Sequence, residues 1–309
     1  MKNVKISVIG AGNVGAMLAL RIVEHDLADV VLVDIDEGIS KGKAYDLADA
    51  SSIMGYDKKV EGTSDYSKLQ DSAVVAITAG FARRPGMSRD DLIQKNGAVV
   101  REVVLKIKQF APQSVIIVVT NPLDIMTYLA YKLSGFDRHK VIGMAGILDS
   151  ARQSNLIAED LGITKPEVDS VIIGSHDDNM VPLLNYSKVQ GQPLKKVLEE
   201  NRLTSIVERT KKRGAEIVSL LKTGSAFFAP SAACFSMIKC ILNNEHLTMC
   251  ASIYLDGEYG LRDLCIGVPV IMGKNGAEKI VQLELDDHEY KKFRESAQLI
   301  KDSVVKLGI

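Results

Sequence analysis

Val4-Lys5-Ile6-Ser7-Val8-Ile9-Gly10-Ala11-Gly12-Asn13-Val14-Gly15 is the stretch that decides the fold. An apolar run, Val4–Ile9, ends in a GxGxxG loop, and a helical pattern follows. The first glycine permits a tight turn, the second lets a pyrophosphate approach the backbone, and the third lets helix and strand pack closely. The helix start leaves N–H groups without intrahelical partners, which suits phosphate oxygens. Gly10, Ala11, Gly12, Asn13, Val14 and Gly15 are therefore candidate cofactor contacts. On its own the loop also fits a strand–helix turn with no ligand.

Asp34 argues for the ligand. It ends the next apolar run, Val30–Val33, 19 residues past Gly15. That is close to the spacing of about 20 at which an acid grips the adenosine ribose. A carboxylate there accepts hydrogen bonds from both ribose hydroxyls and repels a 2′-phosphate, so the expected cofactor is NAD rather than NADP. Asp36 reads as solvated or as a helix cap.

The apolar texture continues outward. Ala73–Thr78, Val115–Val119 and Lys140–Ile142 are further Val/Ile-rich runs without polar alternation, as parallel strands covered on both faces should be. Leu92, Val99, Val103, Ile107 and Phe110 recur between them at helical spacing. This predicts an α/β fold, a doubly wound parallel Rossmann sheet over residues 1–145. Beyond it come an expected strand at Val168–Ile173, a charged helix over Asn201–Lys222, strands at Leu247–Leu255 and Leu264–Ile271, and a last helix carrying Tyr290, Phe293, Ala297, Ile300 and Val304. That mixture predicts a C-terminal α+β substrate domain over 146–309, with a ligand cleft between the halves.

Composition agrees with a soluble two-domain chain. There are 309 residues, 46% hydrophobic and 25% charged, with a net charge of −1. The charge balance gives no bulk electrostatic case for nucleic acid or an anionic membrane. Four cysteines, Cys234, Cys240, Cys250 and Cys265, form no CxxC pair and read as buried thiols of a reducing compartment rather than disulfides or a metal site. No signal peptide is apparent at the N-terminus, and Ala226–Leu242, interrupted by Pro230 and Lys239, falls short of a span. The expected location is cytoplasmic.

Four further features carry chemistry. Ala82–Asp91 holds Arg83, Arg84 and Arg89 after a strand, where doubly wound sheets bind ligands, so it reads as an anion-binding loop or a solvated basic turn. Ser88 is a candidate N-cap. Asn121, before Pro122, stands at a strand–helix junction, either beside the cleft or as part of a plain N-terminal helix signal. Asp149 and Arg152 share a helical face, either in a site or as a surface ion pair. Of the five histidines, His176 alone leaves a buried-looking strand, in Gly174-Ser175-His176-Asp177-Asp178, where it reads equally as a catalytic candidate or as a structural loop histidine.

Taken together, these segments resemble the lactate/malate dehydrogenase family, most closely its malate dehydrogenases built on the lactate dehydrogenase plan. The likeness runs nearly end to end, through GAGNVG at Gly10–Gly15, VLVDI at Val31–Ile35, ARRPGMSRDDL at Ala82–Leu92, TNPLD at Thr120–Asp124, GILDSAR at Gly146–Arg152, the His176 segment and GSAFFAPSAA at Gly224–Ala233. The resemblance implies hydride transfer between NAD and a 2-hydroxy acid, and a homodimer or homotetramer. It makes His176 the proton-transferring base and Asp149 its orienting carboxylate. Arg152 would hold the C1 carboxylate, Arg89 polarise the C2 carbonyl, and Arg83 read the distal end of the substrate. Asn121 would contact substrate beside the nicotinamide, while Asn96, Val119, Thr120 and Asn121 fall where the family contacts NAD. A second substrate charge needs a partner in a dry site, and Arg83 supplies one where lactate-specific relatives generally carry glutamine. Malate and oxaloacetate are thus the first expectation, pyruvate and lactate the second, and a non-catalytic NAD-binding protein the third. Asp177 departs from the pattern, which has glycine there. It is expected either to add charge beside the base and raise its pKa or to face solvent, and a left-handed conformation would strain it.

Overall fold

The strand that feeds the glycine loop, β1 (Lys5–Ile9), lies within a nine-stranded sheet. The computed structural model describes residues 4–82 and 87–308, and the elements and counts below are those of the described residues. The first half comprises β1, α1 (Asn13–Glu24), β2 (Asp29–Val33), α2 (Glu37–Met54), β3 (Val60–Thr63), β4 (Val74–Ile77), α3 (Arg89–Phe110), β5 (Val115–Val118), α4 (Leu123–Ser134) and β6 (Val141–Gly143). Its strands run parallel in the order β3-β2-β1-β4-β5-β6, the doubly wound arrangement. Every residue of β4, β5 and β6 is buried, because helices cover both faces.

The strand β3 did not stand out in the sequence. Its VEGT carries one buried residue and lies at the sheet edge, so it lacks an apolar run. Helix α2 begins at Asp36, whose side chain accepts the Ile39 N–H at 3.1 Å. Helix α3 begins at Ser88, whose hydroxyl accepts the Asp91 N–H while Asp91 accepts the Ser88 N–H. That capping box places Arg89 on the first turn of a helix rather than in a loop.

The second half comprises α5 (Gly146–Leu161), β7 (Val168–Asp169), β8 (Ile172–Ile173), β9 (Val181–Pro182), β10 (Lys188–Val189), β11 (Gln192–Pro193), α6 (Leu194–Val197), α7 (Glu200–Leu221), α8 (Phe228–Asn243), β12 (Leu247–Asp256), β13 (Arg262–Gly273), β14 (Gly276–Ile280) and α9 (Asp287–Val304). The expected strand over Val168–Ile173 is two strands in different sheets, since β7 pairs with β10 and β8 with β9. Between them the Val171 amide turns to the Ser187 hydroxyl, and the Ile172 amide at the start of β8 turns to the Ser150 hydroxyl.

The long hairpin β12–β13 continues the main sheet. Ser252 of β12 pairs antiparallel with Gly143 of β6, so one sheet runs through both halves. Helix α9 buries Phe293, Ala297 and Ile300 in the same apolar core as Ile6 and Val118, while Tyr290 stays exposed. The four cysteines are free and buried. No described helix is long and apolar enough to cross a membrane.

Candidate active site

The glycine loop has the shape a pyrophosphate needs. Gly10 has φ +103°, and a Cβ on Gly15 would lie 1.9 Å from the Gly10 carbonyl oxygen, so neither position tolerates a side chain. Gly12 faces open space and caps α1 without any side-chain hydrogen bond, leaving the first-turn N–H groups for an anion. Thr78 Oγ1 donates to the Gly10 carbonyl at 2.9 Å and steadies the turn from the end of β4.

Asp34 stands half-buried at the end of β2. Its Oδ2 accepts the Ala11 N–H at 2.7 Å and its Oδ1 the Asp36 N–H at 3.0 Å. The acid thus ties the glycine loop to the neighbouring strand end, a role its spacing did not reveal. Its remaining lone pairs fit a ribose diol.

At the end of β5, Val119 and Thr120 are buried and Asn121 is exposed. Thr120 Oγ1 donates to the Ala79 carbonyl at 2.6 Å. Asn96, fully buried on α3, accepts the Phe81 N–H at 2.7 Å and donates to the Phe81 and Asn121 carbonyls at 3.1 and 2.6 Å. Its amide is committed to backbone groups, so it braces the loops after β4 and β5. Arg83 lies outside the described residues.

One carboxylate organises the second cluster. Asp149 Oδ2 meets His176 Nδ1 at 2.7 Å, and its Oδ1 accepts from Arg152 at 3.2 Å. The Asp149 side chain is 2% exposed and Arg152 14%, so this is no surface ion pair. A carboxylate can only accept, so Nδ1 carries the proton and Nε2 is left to exchange one. Burial works against the imidazolium, but the adjoining Asp149 charge and hydrogen bond outweigh it, and the His176 pKa is raised above 6.5.

The His176 backbone is held by a residue that sequence reasoning quoted but did not place in the site. Asp124, buried on the first turn of α4, accepts the His176 N–H at 2.8 Å and the Ser252 hydroxyl at 2.7 Å. Burial pushes its carboxyl up to about 6, against the pull of those two bonds. The available signal was an acid in a first helical turn too apolar to leave it solvated. Ser296 of α9 also anchors the loop, accepting the Ser175 N–H at 2.8 Å.

Asp177 takes neither expected course. Its Oδ1 accepts from the Ser175 hydroxyl at 2.6 Å and from the Asn179 backbone and side-chain amides at 2.8 and 3.0 Å. Its Oδ2 pairs with Arg89 at 3.0 Å. It is not among the residues of positive φ, so the strain expected of a left-handed aspartate does not arise. Burial opposes its charge, but these donors hold its carboxyl below the usual range.

A pocket of about 410 Å³ between α5, β7 and β12, lined by Ile147, Val168, Tyr186 and Cys250, includes none of these residues. The glycine loop, Ala79 and Asn121 instead follow the carboxyl ends of β1, β4 and β5, and open α/β sheets bind ligands in the crevice there.

Two family models match the chain. The lactate/malate dehydrogenase NAD-binding domain covers residues 4–143, and the lactate/malate dehydrogenase alpha/beta C-terminal domain covers residues 147–307. The chain belongs to the lactate/malate dehydrogenase family. Within that family, it is 49% identical over 305 residues to the malate dehydrogenase of Methanosarcina barkeri, covering 99% of each protein. The crystal structure of Cryptosporidium parvum malate dehydrogenase superposes with a TM-score of 0.97 at 38% identity, over 99% of both chains. The lactate dehydrogenase of the same organism, solved with lactic acid and the NAD cofactor, superposes with a TM-score of 0.96 at 37% identity, over 100% of this chain and 99% of that one. The family scaffold is therefore common to proteins named for either substrate.

Proposed function

We propose that the protein is an NAD-dependent malate dehydrogenase that interconverts (S)-malate and oxaloacetate. The observation that carries this is Asp149 gripping His176 and Arg152 with its two oxygens, a base and a carboxylate-binding fork set by one buried acid. Relatives named malate dehydrogenase at nearly half identity support the choice of substrate.

NAD, when bound, takes or supplies the hydride at substrate C2. The residues Gly10–Gly15 would hold its pyrophosphate and Asp34 its adenosine ribose. Val119, Thr120 and Asn121 would border the nicotinamide end, with Asn96 bracing them. Arg152 presents a planar fork to the C1 carboxylate. His176 Nε2 takes the alcohol proton during oxidation and returns it during reduction. Asp149 holds the imidazole and stabilises its protonated form. Arg89 stabilises charge developing on the C2 oxygen, and Arg83 pairs the distal carboxylate. Asn121 contacts the substrate beside the nicotinamide.

The boundary between the Rossmann and substrate domains falls at residues 145/146 in this reading. Exposed apolar side chains on α2 and α8, among them Ile53, Met54 and Phe228, supply surface for a homodimer or homotetramer. Four free, buried thiols fit a cytoplasmic location. The test is NADH absorbance with oxaloacetate, with pyruvate and without substrate, repeated with NADPH. Consumption of NADH driven by oxaloacetate is expected. Faster turnover of pyruvate, or none of either keto acid, would overturn the reading.

A further inference from the structure

The ion pair of Arg89 and Asp177 joins elements far apart in sequence, the first turn of α3 and the loop after β8 that carries His176. The two ends of the pair are held differently. Asp177 is fixed, because three donors from Ser175 and Asn179 converge on its Oδ1 and aim Oδ2 outward. Arg89 touches it with a single guanidinium nitrogen, and its side chain remains 45% exposed. The carboxylate is thus a rigid dock, and the arginine is the movable member.

We infer that Asp177 is a positioning residue that holds Arg89 by charge and sets how tightly the dicarboxylate is captured. This rests on the proposed role of Arg89 toward the C2 oxygen. Substrate that draws on the same guanidinium competes with Asp177 for it. The fixed negative charge, next in chain to the base, also opposes an anion entering the crevice. Both effects weaken capture of substrate and ease release of product. Neither requires a change in proton transfer, since the Asp177 carboxylate is committed to Ser175, Asn179 and Arg89. Half-exposed ion pairs shift equilibria by about two- to fivefold, and salt screens them.

The experiment is steady-state reduction of oxaloacetate by the full chain at low and high ionic strength. It compares wild type, Asp177→Asn, Asp177→Gly, Arg89→Gln and the Arg89→Gln/Asp177→Asn double variant. Asp177→Asn retains an acceptor for Ser175 and Asn179 while removing the charge, so it separates charge from loop geometry. Both Asp177 variants should lower KM about two- to fivefold at low salt without raising kcat, and the difference should shrink at high salt. The effect of Asp177→Asn on KM should shrink in the Arg89→Gln background, where the competition for the guanidinium is gone and only the direct repulsion remains. An unchanged KM in Asp177→Asn, or an effect that survives in full without Arg89, overturns the inference. Arg89→Gln that leaves kcat/KM intact instead overturns the proposed role of Arg89, a result distinct from failed coupling.

Discussion

The backbone N–H of His176 donates to Asp124 Oδ2 at 2.8 Å, across 52 residues of sequence. The proposed base is therefore held twice, at its ring by Asp149 and at its main chain by Asp124. Ser252 completes the arrangement from β12, the strand that carries the main sheet into the second half.

Asp124 should leave a mark on stability. Its carboxyl rises from 3.8 to about 6 on burial, so the folded state binds the proton more tightly than the unfolded chain. Its contribution is complete below the unfolded value and is lost as pH rises through the folded one, so stability from this group falls between about pH 4 and 6. Asp124→Asn should remove that fall, about 3 kcal/mol, from a plot against pH of the unfolding free energy obtained from urea titrations. Parallel profiles for the two proteins would show that Asp124 is ionised alike in both states.

The raised pKa of His176 fixes the sign of the activity profile. Reduction needs the imidazolium and should persist above the ordinary imidazole range, whereas oxidation needs the neutral ring and should require higher pH. Asp149→Asn should move both limbs to lower pH and reduce kcat by about 10²–10⁴-fold. Asp177→Gly should leave both limbs in place, because Asp177 makes no bond to the ring. Profiles of kcat/KM against pH, taken in each direction, distinguish these cases.

Arg83 is the position expected to separate oxaloacetate from pyruvate. Arg83→Gln leaves a distal carboxylate without its partner, a loss of about 2–5 kcal/mol, so the preference should shift by at least about tenfold. Equal losses on both keto acids would move the specificity elsewhere.

Asp34→Ser should narrow the preference for NADH over NADPH by roughly ten- to a hundredfold, the value of a charged hydrogen bond to the ribose together with the lost repulsion of a 2′-phosphate. Because Asp34 also accepts the Ala11 N–H, the variant should raise KM for NADH as well. A cofactor ratio that stays constant would mean that another residue sets it.

The parallel half of the sheet was legible because each of its inner strands is buried on both faces and spells that burial in Val and Ile. The glycine loop and Asp34 were legible because backbone geometry and spacing demand them locally. The edge strand β3 was not, since an edge strand needs no apolar run. The split of Val168–Ile173 was also hidden, because both pieces are apolar and only their pairing partners differ.

The sequence by itself determined the doubly wound half and the family, and offered Asp36 and Ser88 as candidate caps, because these rest on local periodicity and motifs within short stretches. Tertiary structure alone decided who meets whom over long range. It turned Asp149 and Arg152 from a helix-face doublet into a buried pair whose carboxylate also grips His176, placed Asp124 beneath the His176 backbone, and gave Asp177 to Arg89 rather than to the imidazole. A side chain's type states what it can bond. Its partner is set by which loop ends the folded sheet brings together, and a buried donor or acceptor must take whatever complementary group arrives there.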